Sequence, residues 1–220
     1  FNITENDIIE ASRKIRPNLT MGTDNIPAFF VRDCISCLAK PLCYLFNLIV
    51  ESAVFPSVWK TAKVCPIFKS GSNKDVTNYR PIAIIPNFAK LFETILSKII
   101  YSHVIHQISD FQHGFVQGKS TSTNLCEFIH FVSSSLDLRL QIDTVYTDLS
   151  KAFDKVNHRI MLHKLKSFGL CNNLVSLVRS ILADQKQFVE YSGHKSFVYD
   201  CLSGLVEGSN LGPLLFDILI

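Results

Sequence analysis

Between Asn87 and Ile100 the apolar residues Phe88, Leu91, Phe92, Ile95, Leu96, Ile99 and Ile100 recur at i, i+3, i+4 and i+7. That spacing lays them along one wide face of an α-helix. A face so broad is stable only when it is covered, so the rest of the chain has to build a core around this helix. The composition allows it: 47% of the 220 residues are hydrophobic, enough for one large domain or two small ones.

The remaining chain alternates between helical and strand signals. Thr4-Glu5-Asn6-Asp7 has the form of a capped helix start, followed by Ile8, Ile9, Ala11 and Ile15 and ended by Pro17. After the loop Met21 to Pro27, one helical pattern carries Phe30, Val31, Cys34, Ile35 and Leu38. A second, opened by Pro41, carries Leu42, Leu45, Leu48 and Ile49. Ala62 to Phe68 reads as a strand that runs into the turn Ser70 to Asp75. Leu125, Ile129 and Val132 mark a helix, and Val145 to Thr147 a strand. Ile160, Met161, Leu165 and Phe168 mark a helix closed by Gly169, and Leu174 to Leu182 another. Phe188 to Tyr191 and Phe197 to Tyr199, joined across Ser192-Gly193, read as a hairpin. This mixed order implies an α+β architecture.

A net charge of +3 permits nucleic-acid binding without arguing for it. Seven scattered cysteines, an odd number, fit reduced and mostly buried thiols in an intracellular protein better than a disulfide framework. No apolar run approaches the roughly 20 residues that span a bilayer, and no signal peptide is visible. The chain starts at Phe1 and stops inside the apolar run Ile218-Leu219-Ile220, so both ends read as cuts in a longer protein.

Several motifs carry chemistry. In Val145 to His158 a β-prone triplet ends at Asp148, which leaves two readings open: an N-cap for the next helix, or an oxygen ligand for a hard cation such as Mg²⁺. Gly118-Lys119-Ser120 lacks the glycine of a P-loop, since position 113 is His113. Cys34-Ile35-Ser36-Cys37 has metal-ligand spacing but no following pair at zinc-site spacing, which favours buried thiols. Lys63, Lys69, Lys74 and Arg80 cluster about one strand and its loop, either as a solvated face or as phosphate ligands, a task to which a planar guanidinium is suited.

Taken in order, these segments resemble the reverse transcriptases of non-LTR (LINE-type) retrotransposons. Gly22-Thr23-Asp24-Asn25-Ile26-Pro27 resembles the family's N-terminal extension motif. Phe55-Pro56 with Trp59-Lys60, then Cys65 to Lys69, resemble the entry to the fingers. Asn78-Tyr79-Arg80-Pro81-Ile82 with Lys90, Phe92 and Glu93 resembles the next block, and Gln112-His113-Gly114-Phe115 with Lys119-Ser120-Thr121 the one after it. Asp148-Leu149-Ser150-Lys151-Ala152-Phe153-Asp154 is similar to the first catalytic block of the palm, and Gly208 to Phe216 to the following one.

The resemblance implies the fingers and palm of a right-hand polymerase, with a helical N-terminal extension, an incomplete palm sheet and no thumb. Residues 1–60 would be the extension, 61–139 the fingers and 140–220 the palm. The implied activity is RNA-directed DNA synthesis by two Mg²⁺ ions, with template RNA, primer DNA and deoxynucleoside triphosphates as partners, no membrane, and the nucleus as location. Asp148 would bind both metals, with the Leu149 carbonyl beside it. Phe153 would gate the ribose 2′ position, and Lys69, Arg80, Glu207 and Gly208 would line the nucleotide. Lys63, Gly114, Phe115, Lys119 and Ser120 would meet the nucleic acid, and Asp154 would cap or brace the following helix. Three departures stand out. The Tyr-Ala-Asp-Asp type turn with the second metal-binding aspartate is absent, Val206-Glu207 replaces the usual Pro-Gln, and Val116 stands where an Arg is common. They imply a decayed or partial copy, inactive by itself; the alternative is a nucleic-acid-binding remnant without catalysis.

Overall fold

The stripe from Phe88 to Ile100 becomes the central helix of a mixed α/β structure. In the computed structural model, which describes residues 1–220, the order is α1 (Glu5–Arg13), α2 (Ala28–Asp33), α3 (Ile35–Ser52), β1 (Thr61–Phe68), β2 (Tyr79–Ile84), α4 (Asn87–Val104), α5 (Thr121–Asp137), α6 (His158–Ser167), α7 (Asn172–Leu182), β3 (Gln185–Tyr191), β4 (His194–Lys195), β5 (Tyr199–Cys201) and α8 (Gly212–Leu219). Leu91, Phe92, Leu96, Ile100 and Val104 of α4 are fully buried. Phe92 meets Phe46 of α3 edge-on at 5.1 Å, and Trp59 closes the same cluster through Phe46 at 6.2 Å and Phe55 at 5.6 Å. Edge-on pairs of this kind add about 1 kcal/mol each beyond the area they bury. One continuous apolar core runs from Ile3 to Ile218 and draws on all three stretches of the chain.

The local signals explain most of the elements. Thr4 and Asp7 form a reciprocal capping box at α1. α6 ends at Phe168 with Gly169 left-handed, the Leu170 amide bonding Leu165 O and the Gly169 amide bonding Lys166 O. In the sheet β1 is central: antiparallel to β2, with Phe68 opposite Tyr79, and parallel to β3, with Thr61 opposite Lys186. β4 and β5 both pair antiparallel with β3. The hairpin turn has Ser192 at φ 49° and Gly193 at φ 80°, the doubly positive conformation whose twist matches the strands. Between β4 and β5 the register slips by one residue, from Tyr191 opposite His194 to Gln187 opposite Tyr199, so residues 196–198 form a bulge.

Five expectations change. Pro41 does not open a helix: α3 already starts at Ile35 and carries Pro41 inside it, and the break falls at Cys34. α3 is long and apolar enough to cross a membrane by length and composition, although Leu42, Phe46 and Ile49 face the protein core. Val145 to Thr147 is not a strand; no strand lies beside it, and Val145 and Tyr146 are 84% and 82% exposed. β-propensity is a preference for a pleated, half-covered surface, and here only the Phe128 ring, edge-on to Tyr146 at 6.4 Å, approaches it. α5 forms behind its Ser120–Thr123 capping box yet buries none of its residues. All seven cysteines are free, and none is fully buried.

Candidate functional site

The site is organised by the loop from Gly204 to Leu211, which ties three elements together. At its start the Leu205 amide donates to Phe153 O (2.9 Å), the Gly204 amide to Val156 O (2.9 Å), and His158 Nε2 to Gly204 O (2.7 Å). At its middle the Ala83 amide of β2 donates to Glu207 O at 2.7 Å. Gly208 follows at φ 125°, so close to β2 that a Cβ there would lie 2.2 Å from Ala83 O. Only glycine combines that backbone angle with that approach.

The far end is held by Glu93 of α4, a carboxylate only 5% exposed. Its Oε2 accepts from Ser209 Oγ (2.7 Å), the Asn210 amide (2.9 Å) and the Leu211 amide (3.4 Å). Burial drives its pKa up, against the pull of these donors and of the Lys90 charge. Asn210 Nδ2 donates to Thr94 Oγ1 at 2.6 Å, a second tie to α4. Ser209 Oγ in turn accepts from the Leu211 and Gly212 amides, each at 3.1 Å, at the head of α8.

Beneath the loop lies a cavity of about 400 Å³ lined by Trp59, Glu93, Asp154, His158, Asp200 and Leu205, among others. The Glu207 carboxyl is pushed up first by burial and then by the Asp154 charge, with Arg80 offsetting part of this. The same burial and the charges of Asp200 and Asp154 raise the Cys201 thiol. Phe153 is half-buried, stacked on Phe216 of α8 at 5.0 Å and 14° and met edge-on by Phe115 at 6.3 Å.

The structure thus brings Arg80, Phe153, Glu207 and Gly208 onto one loop and its supports. It leaves other expected residues apart. Asp148 and Leu149 stand exposed beyond the unpaired 145–147 segment, and no three His, Cys, Asp or Glu side chains converge to hold an ion. As placed, these donors do not fit a magnesium pair. Lys69 is exposed, its amide closing the β1–β2 connection on Asn78 O at 2.8 Å. Lys63 pairs with Glu190 at 3.8 Å. Lys119 Nζ folds back onto the Asp110 carbonyl, and Ser120 caps α5. Gly114 and Phe115 are exposed, Phe115 at positive φ, while Val116 beside them is buried. Asp154 does not cap α6; Asn157 does, accepting from the Arg159 and Ile160 amides.

Sequence reasoning missed the roles of Glu93, Ser209 and Phe216. For Glu93 a signal existed: it lies at helical spacing from Ala89, Leu96 and Ile100, an acid on the buried stripe.

Residues 69–220 match the family model described as reverse transcriptase (RNA-dependent DNA polymerase). The chain is 31% identical over 219 residues to the RNA-directed DNA polymerase from mobile element jockey of Drosophila funebris, covering 98% of this chain and 24% of that protein. It is 26% identical over 215 residues to the probable RNA-directed DNA polymerase from transposon BS of Drosophila melanogaster, covering 96% of this chain and 24% of that one. It is 25% identical over 166 residues to the retrovirus-related Pol polyprotein from type-1 retrotransposable element R2 of Popillia japonica, covering 75% and 23%. The chain therefore spans about a quarter of the length of these curated relatives. With the family matched over most of its length and the ordered motifs falling on a mixed α/β fold, the chain belongs to the reverse transcriptase (RNA-dependent DNA polymerase) family, among the non-LTR retrotransposon enzymes.

Proposed function

We propose that the chain supplies the fingers and the adjoining palm of an RNA-directed DNA polymerase, with residues 1–60 as a helical extension, 61–139 as fingers and 140–220 as part of the palm. The observation that carries this reading is the docking of the Gly204–Leu211 loop on β2. The middle of that loop lies against Ala83 of β2, the strand that carries Arg80, while its start holds the Phe153 backbone. Arg80, with Lys69 at the end of β1, would take the triphosphate of a deoxynucleotide through charge-assisted bonds. Phe153 would lie against the sugar and disfavour a 2′-hydroxyl. Template and primer would pass Lys63, Gly114, Phe115, Lys119 and Ser120. Divalent magnesium belongs to the family chemistry, and Asp148 with the Leu149 carbonyl is the donor this chain offers it. With Asp148 as the one carboxylate this chain is proposed to offer the metal pair, the chain alone would bind nucleotide without polymerising it.

Titration of the purified chain with a fluorescent deoxyadenosine triphosphate tests the reading. Lys69→Ala and Arg80→Ala should each weaken binding by about tenfold, the worth of one hydrogen bond to a charged group. Equal affinity in wild type and both variants would sink it. In parallel, primer extension on poly(rA)/oligo(dT) with Mg²⁺ should show no incorporation; activity lost on Asp148→Ala would overturn the silence of the chain. A lone Asp148 also favours a second reading, a binding remnant without catalysis, whose RNA affinity would fall steeply with salt.

A further inference from the structure

Phe153 is held from two directions, and both holds lead back to Glu93. From the backbone side, the Leu205 amide bonds Phe153 O at 2.9 Å, at the start of the loop whose end is fastened to Glu93 Oε2. From the ring side, Phe153 stacks on Phe216 at 5.0 Å and lies 3.7 Å from where a Cβ on Gly212 would be, both residues of α8. α8 itself begins where Ser209 Oγ accepts from the Leu211 and Gly212 amides.

A serine hydroxyl has one proton and two lone pairs. Ser209 can accept from both amides at the head of α8 only if its proton points elsewhere, and the 2.7 Å contact to Glu93 Oε2 takes it. Oε2 already accepts from the Asn210 and Leu211 amides, so it presents no proton to Ser209 and fixes the hydroxyl in that orientation. Burying an acid this deeply is unfavourable, and the Lys90 charge offsets only part of that cost. An apolar residue would suit the α4 stripe better on packing grounds alone. We therefore infer that Glu93 is a positioning residue: by clasping Ser209, Asn210 and Leu211 it sets the loop and α8 so that the Phe153 ring stands where it can select the sugar. The inference rests on the sugar-gate reading of Phe153 given above.

The test separates a positioning role from a structural one, because Glu93→Leu keeps an apolar residue on the α4 stripe while freeing the loop, and Ser209→Ala removes only the hydroxyl. A single para-fluorophenylalanine at position 153 reports on stacking through its ¹⁹F shift, with Phe216→Leu defining the unstacked position. Glu93→Leu, and independently Ser209→Ala, should move the resonance most of the way to that position. Both should also lower the preference for dATP over ATP binding by about tenfold, the worth of a charge-assisted hydrogen bond. If Glu93→Leu does not fold, Ser209→Ala decides alone. An unmoved resonance overturns the inference, as does a moved resonance with the nucleotide preference intact. If the wild-type chain binds no nucleotide at all, the proposed function fails, while the fluorine shift still decides whether Glu93 positions the ring.

Discussion

Gly208 carries the tightest constraint on any single side chain. A methyl group there would lie 2.2 Å from Ala83 O, against backbone that cannot swing aside, and at a φ of 125° that L-residues rarely adopt. Gly208→Ala should therefore cost at least about 2 kcal/mol in denaturant unfolding, with strain and clash adding; a loss near zero would mean that the loop does not dock on β2. Asp217 of α8 is a second case. It is 6% exposed, with one oxygen on Gln112 Nε2 at 3.0 Å and Oδ2 unpartnered. Burial lifts its pKa to about 6, with Gln112 pulling the other way. A carboxyl whose folded pKa lies above its unfolded value of about 3.9 holds its proton longer in the native state. Its contribution is thus fully present below about pH 4 and is lost as pH rises through 6. The stability of wild type relative to Asp217→Asn should fall by on the order of 2 kcal/mol between pH 4 and 7. A flat difference would place Asp217 in water.

Among the elements, what was legible depended on whether the partner was local. The α1 capping box, the Gly169 stop, the hairpin turn and the α4 stripe are written within a few residues, and each formed as expected. Val145 to Thr147 and the apolar face of α5 were legible as propensity only, because what would cover them is not encoded beside them. At the site, the sequence singled out Arg80, Phe153 and Gly208 by resemblance. The clasp of Glu93 joins residues more than a hundred positions apart and left no local mark beyond an acid on an apolar stripe. The contrast between the two helices is measurable. Ile129 of α5 is 53% exposed and Leu91 of α4 fully buried. Ile129→Lys should change stability by less than about 0.5 kcal/mol, while Leu91→Ala should cost about 2–5 kcal/mol. Equal losses would mean that α5 is covered.

Across the whole molecule, the three segments share one core, so they should unfold together. Trp59 is the only tryptophan in the sequence and sits 8% exposed between α3 and β1, against Phe46 and Phe55. Its fluorescence and the far-ultraviolet circular dichroism should therefore follow one coincident denaturant transition. Separate midpoints would divide the core. The parallel pairing of β1 with β3 bears on how that core is reached. β1 finds β2 across a short turn, but its other edge waits from Thr61 for a partner that starts at Lys186. During synthesis that edge stays open until most of the chain has left the ribosome, an invitation to pair with a neighbouring nascent chain. Closing so long a loop is also slow, so the rate at which the sheet completes is set by distance along the chain rather than by the strength of any contact.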